Sequence, residues 1–328
     1  MRFYYYFCLL EKSYKYNLMT RFLSLAIAFF CAMIVSAQMG SSINQQNMKI
    51  PRGNKPEPVK SEPSQQERPS YEDNIDTNTT YYNLFDSAQN AIAERNYSLA
   101  EDFLNRAIAS DPTNENNSLL LSNLATIQRY QGKLTEALKN YNLAIDLTPN
   151  ATTLLLNRAA LLNQIDSVSY AISDYQRVIN LDPSNAEALF SHGMLSLQTG
   201  NDSIANEDFQ TLLGYNPNSG LAYEGLGNLH KYKKNYAKAI QCFSEVIKVQ
   251  PSASLLANRA DCYLMLQKLN EASEDIQQAL KLDPSDGLLY LLRAKLNKMR
   301  FNYSDMESDK KLATKYGIPA SQIEKALK

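Results

Sequence analysis

The stretch GLAYEGLGNLHKYKKNYAKAIQCFSEVIKVQP, residues 220–251, contains a single proline, and it is the last residue. Pro251 has no N–H and crowds the turn before it, so a helix running toward it must end there. Nothing upstream within the stretch forbids helix. Tyr223, Gly227 and His230 share one helical face, and Ala239, Phe243 and Val246 share another. Small side chains at Gly227 and Ala239 let two helices approach closely, while Tyr223 and Phe243 fill the space beside them.

The same arrangement recurs along the chain. Beyond an N-terminal group of five, prolines stand at 112, 149, 183, 217, 251, 284 and 319, with gaps of 37, 34, 34, 34, 33 and 35 residues. A period near 34 is that of a stacked two-helix unit. With each proline set at position 32 of its unit, position 8 reads Ala88, Ala125, Ala159, Gly193, Gly227 and Ala260, and Ala294 continues it in a seventh unit counted on from the sixth. Position 20 reads Ala100, Ala137, Ala171, Ala205, Ala239 and Ala272, and position 24 reads Leu104, Tyr141, Tyr175, Phe209, Phe243 and Ile276. A junction such as VINLDPSNAEALF, residues 178–190, ends one helix at Pro183 and offers Ser184 and Asn185 as caps for the next.

This register resembles the tetratricopeptide repeat, from Tyr81 to about Tyr316. The resemblance implies an all-α fold: a right-handed superhelical solenoid of antiparallel helix pairs, about 6–7 repeats plus a C-terminal capping helix. The seventh unit departs from the pattern, with Met306 where alanine is expected and Lys310 where an aromatic is expected. A charge at that place marks the end of stacking. Ser321 and Glu324 then read as a capping box for a final helix.

The N-terminal region follows other rules. MTRFLSLAIAFFCAMIVSAQ, Met19–Gln38, has a basic start, a short apolar middle and small residues at its end, which is the pattern of a secretory signal. Residues 1–37 are read as a signal peptide cleaved after Ala37, with translation starting at Met19 because residues 1–18 do not fit the pattern. Residues 38–78, rich in Pro, Ser and Gln, are read as a disordered tether, and residues 79–328 as the solenoid with its cap. The expected location is therefore periplasmic or secreted. Cys242 and Cys262 would remain in the mature chain, either as a disulfide or as separate thiols.

The chemistry is sparse. A net charge of −1 with no long basic run speaks against nucleic-acid binding. No phosphate loop, dinucleotide fingerprint, zincin motif or nucleophile elbow is present. His192 and His230 lie on packing faces without ligand-spaced partners, and Asp102, Asp174 and Asp275 are expected on solvated faces of second helices. No catalytic residue, cofactor or metal ligand is expected, and no enzyme activity.

Recognition remains. In the family, first-helix positions 2, 5, 9, 12 and 13 line the inner surface. Carried onto this chain, the resemblance implies a partner-binding groove of Tyr82, Phe85 and Gln89, then Leu119, Arg129 and Tyr130, then Leu156, Asn163 and Gln164. It continues with Glu187, Phe190, Met194 and Leu197, with Glu224, Asn228, Lys231 and Tyr232, and with Asp261, Leu264 and Met265. Some of these, Leu156 and Leu264 above all, are equally readable as helix packing. Chaperone-docking members hold a C-terminal carboxylate through basic residues at positions where this chain has Glu224, Leu288 and Leu292, so that clamp is not expected here. The implied function is a non-enzymatic protein-interaction scaffold of the bacterial envelope, binding a peptide or partner helix, with no nucleic-acid partner. Two alternatives are an envelope carbohydrate-binding protein or enzyme that borrows the solenoid, and a membrane-anchored assembly factor if residues 19–37 remain.

Overall fold

A computed structural model describes residues 77–328, with the side chains described from Thr79 onward. The expected signal segment, its expected cleavage site and nearly all of the expected tether lie outside the described residues. The described chain is helical, with no strand. Its helices alternate as first and second members of pairs. The first pairs are α1 (Thr77–Ala93) with α2 (Tyr97–Ser110), α3 (Asn117–Tyr130) with α4 (Leu134–Leu147), and α5 (Thr152–Gln164) with α6 (Val168–Leu181). Then come α7 (Ala186–Gln198) with α8 (Asp202–Tyr215), α9 (Gly220–Tyr232) with α10 (Tyr236–Val249), and α11 (Ala253–Met265) with α12 (Leu269–Leu282). The last pair is α13 (Gly287–Met299) with α14 (Tyr303–Lys315), followed by the short α15 (Ala320–Ala326).

Helix ends follow from the punctuation. Each of α2, α4, α6, α8, α10 and α12 stops at the residue before its proline: Asp111, Thr148, Asp182, Asn216, Gln250 and Asp283. These residues take φ near −140° and ψ between 77° and 98°, outside the α region that a following proline disfavours. The next helix is then capped by a side chain, as Asn185 does for Ala188, Ser219 for Ala222 and Ser252 for Leu255. The turn inside each pair uses a left-handed residue at position 15, filled by Gly132 and Gly200 but also by Arg95, Asp166, Lys234, Gln267 and Phe301.

The chain divides into two compact units, residues 77–182 and 183–328. In the first, each helix pair packs along its length, and α3 also touches α5. In the second, α7 packs on α9 and α11 on α13, whereas consecutive second helices lie farther apart. Within each unit the first helices therefore form the inner side.

Cores lie between the members of a pair and between neighbouring pairs. The alanines at positions 8 and 20, among them Ala125, Ala137, Ala260 and Ala272, are fully buried, as are Tyr141, Phe209, Phe243 and Ile276 of position 24. Glycine is needed where those rings press hardest. A Cβ on Gly193 would sit 2.6 Å from the Phe209 ring, one on Gly225 2.4 Å from the same ring, and one on Gly227 2.6 Å from Phe243.

The end of the stack departs from expectation in its chemistry. Ser321 and Glu324 do not form a capping box: the residue before α15 is Pro319, and no side chain caps the helix. Glu324 turns instead to Lys310, at 2.8 Å, and Lys310 also meets Glu307 at 2.9 Å. The charge that replaces the aromatic at position 24 thus fastens the final helix through ion pairs.

Candidate functional site

In the 77–182 unit the inner side is built from α1, α3 and α5. Phe85 is 4% exposed and joins the core with Tyr81, Leu104 and Leu120, so it supports the surface from behind and is not available for contact. Tyr82 is half-buried, edge-on to Tyr81, and Gln89, Leu119, Leu156 and Asn163 are also half-buried. At the ends of the first helices, Arg129 Nε donates to Gln164 Oε1 at 2.7 Å, joining α3 to α5. Tyr130 is exposed and stacks on Tyr97, with ring centroids 6.1 Å apart. Arg129, Tyr130 and Gln164 are thus brought to one edge, while Phe85 leaves the set.

The 183–328 unit gathers more. Phe190, at 5% exposure, tilts against Phe209 and belongs to the core, and Leu197 and Leu264 are buried as well. Glu187 and Met194 stay half-buried on α7, and Tyr232 and Met265 stand exposed at the ends of α9 and α11. Asn228 Nδ2 reaches Met194 Sδ at 3.9 Å, which brings α9 against α7. Toward the next repeat, Lys231 Nζ donates to Asn258 Oδ1 at 3.0 Å and pairs with Asp261 at 2.9 Å. Lys295 of α13 approaches the other oxygen of Asp261 at 3.8 Å. Burial works to raise the Asp261 carboxyl, but attraction to Lys231 and Lys295 outweighs it and holds the group below the usual carboxylate range.

Glu224 lies one turn before Asn228 on α9 and is half-buried. It has no hydrogen bond or ion pair with any described residue, and desolvation alone pushes its carboxyl up to about 7. Asn258 and Lys295 complete this surface although neither was in the inferred groove. Lys295 was legible, since it stands at position 9 of the seventh unit, in register with Met194, Asn228 and Asp261.

The second helices correct the sequence reading. Asp174 and Asp275 are not on solvated faces: each is 3% exposed. The Arg158 guanidinium grips both oxygens of Asp174, at 2.7 Å each, and Arg259 grips Asp275 at 2.7 and 2.8 Å. Arg293 repeats the pairing with Asp309, and His192 Nδ1 meets Asp208 at 2.7 Å. In all four the partners are 16 residues apart, at positions 7 and 23 of their units. Arg158 and Arg259 also donate to Asn142 and Ser244 on the preceding second helix, so each rung ties two repeats together. Bidentate geometry is what lets so polar a pair sit in a helix interface. Asp102 alone of the three remains exposed, beside Arg106.

His230 is held below its ordinary range by desolvation and by Lys238 and Lys233. Cys242 and Cys262 are both free thiols, Cys262 fully buried and pushed up to about 12 by desolvation. Among the described residues no group of three or more His, Cys, Asp or Glu is placed to hold a metal ion, and no helix is long and apolar enough to cross a membrane.

Comparison with known proteins agrees with this architecture. Two models of the tetratricopeptide repeat match the chain, one over residues 253–286 and the other over 120–151 and 221–252. A curated relative, a DnaJ homolog subfamily C member 7 homolog from Dictyostelium discoideum, is 28% identical over 100 residues, which make up 29% of this chain and 19% of that protein. The structure of PilF from Pseudomonas aeruginosa is similar in fold, with a TM-score of 0.54 at 17% identity over 67% of this chain and 99% of that one. A tetratricopeptide repeat protein from Parabacteroides merdae aligns with a TM-score of 0.67 at 32% identity, covering 76% of this chain and 98% of that one. The proline period, the paired helices and this likeness together place the chain in the tetratricopeptide repeat family.

Proposed function

We propose that the protein is a non-enzymatic scaffold of the bacterial envelope that binds an extended or helical partner segment on the inner face of its first helices. The fold itself is that of a protein-interaction scaffold. The observation that supports the location of binding is the division of side chains on α7, α9, α11 and α13. Small and aromatic packing residues are sunk between the helices, while Met194, Glu224, Asn228, Lys231, Asp261 and Met265 are left together on one face. Polar groups fixed by one another beside exposed apolar ones present a pre-organised surface, which lowers the ordering cost of binding. The envelope location rests on the signal-like stretch Met19–Gln38.

A photo-crosslinking amino acid at Tyr232, compared with one at Lys238 on α10, tests the surface. Adducts with one partner in envelope extract are expected from Tyr232 only, and they should disappear with Lys231→Glu. Adducts from Lys238 alone would move binding to the outer face. N-terminal sequencing of the mature protein tests the location, with a start at Gln38 expected; a retained segment 19–37 would make the scaffold membrane-anchored.

A further inference from the structure

We infer that the partner segment seated on the inner face of the 183–328 unit presents a lysine or arginine side chain to Glu224. This rests on the inner-face reading above and adds the chemistry of the partner. Position 5 of the other units carries Phe85, Ser122, Leu156, Phe190, Ala257 and Leu291, so a carboxylate stands here where the rest of the stack has apolar side chains or a small hydroxyl. Such a group in a recess weakens the fold unless something answers its charge.

Nothing within the described protein does. Lys231 and Lys295 are engaged with Asp261, and Lys231 also with Asn258. Farther along the same face, Lys298 donates to the Leu327 carbonyl. Lys231 is seven residues beyond Glu224 on α9, about 10 Å along the helix axis, and its ammonium points onward to α11. Glu224 is therefore left with no counter-ion among the described residues, one turn before half-buried Asn228, whose side chain meets half-buried Met194.

A cation fits this recess on two grounds. Its charge meets a carboxylate in an environment that screens poorly, where attraction is stronger than in open water. Its aliphatic stem lies along Met194, as long basic side chains do on apolar surface. An acidic side chain in the same place meets repulsion, and an apolar one leaves the carboxyl unanswered. The attraction of a cation offsets the desolvation that raises Glu224, so binding and ionisation of this group support each other.

A phage-displayed library of random dodecapeptides, selected against the full chain, tests the inference. Selection is run on the wild type, on Glu224→Gln and on Lys231→Glu, each checked by circular dichroism. The expected outcome is that peptides enriched on the wild type share one aligned Lys or Arg, several-fold above its library frequency. On Glu224→Gln peptides still enrich, but that preference returns to the library frequency. In the best peptide, replacing the basic residue by Gln should weaken binding to the wild type at least tenfold and to Glu224→Gln less than twofold. Peptides that are lost with Lys231→Glu yet show no basic preference, or bind Glu224→Gln unchanged, overturn the role of Glu224 and leave the inner-face reading standing. Peptides indifferent to both variants, or no enrichment at all, overturn both.

Discussion

The guanidinium of Arg259 holds both carboxylate oxygens of Asp275, at 2.7 and 2.8 Å, across the interface between α11 and α12. The pair is what gives this stack a polar seam: the same contact recurs as Arg158–Asp174, Arg293 meets one oxygen of Asp309 while Asn297 takes the other, and His192–Asp208 is a variant. Repeat five departs from it, with Leu226 and Cys242 at the same two positions.

That departure suggests how to test the rung. Asp275→Ala leaves Arg259, with 17% of its side chain exposed, facing a cavity without its partner, and stability should fall by about 2–4 kcal/mol. The double change Arg259→Leu with Asp275→Cys copies repeat five and should recover most of that loss. Urea unfolding followed by circular dichroism measures both. A double variant no better than the single one would show that the charge pair stabilises the interface outright.

The pH response of Glu224 has a definite sign. Its carboxyl sits at about 7 in the folded protein against 4.5 when free of the fold, so between those values the folded state holds the proton more tightly than the unfolded chain. Stability from this group therefore falls as pH rises through that window, and the loss is complete above about 7. The full shift corresponds to at most about 3 kcal/mol, reduced by the solvent that reaches a half-buried carboxyl. Thermal melts of the wild type and Glu224→Gln from pH 4 to 8 should diverge with rising pH, the variant melting higher. His230, held below its ordinary range by desolvation, is common to both proteins, and Asp261 is already ionised there. A constant difference across the range would show that Glu224 is not desolvated.

Phe209 is held between two glycines. An alanine at Gly225 brings a Cβ to 2.4 Å from the ring, a contact that forces α8 and α9 apart. Gly225→Ala should cost about 1–3 kcal/mol, and the cost should shrink when Phe209 is also replaced by leucine. A double-mutant cycle in urea reports the coupling directly, and an additive result would place the strain elsewhere.

The helix pairs were legible because their causes are local. A proline removes a donor and restricts the residue before it, and this stops a helix whatever surrounds it, as at Asp182–Pro183 and Gln250–Pro251. Small residues at Gly227 and Ala239 report the close approach of two helices within one unit of sequence. The same register groups the side chains of each first helix by side, because helical periodicity decides which of them share one.

Burial and partnership were decided by the tertiary structure. Phe85 and Phe190 hold groove positions by register but are drawn into the core by Leu104 and Phe209, and only packing between helices determines that depth. Asp174 and Asp275 look in sequence like any charge on a helix surface. They become interior groups because an arginine 16 residues earlier reaches them across the hairpin. Lys231 finds Asp261 while Glu224, on the same helix, has no charged partner among the described residues, because electrostatic pairing depends on distances that period alone does not set.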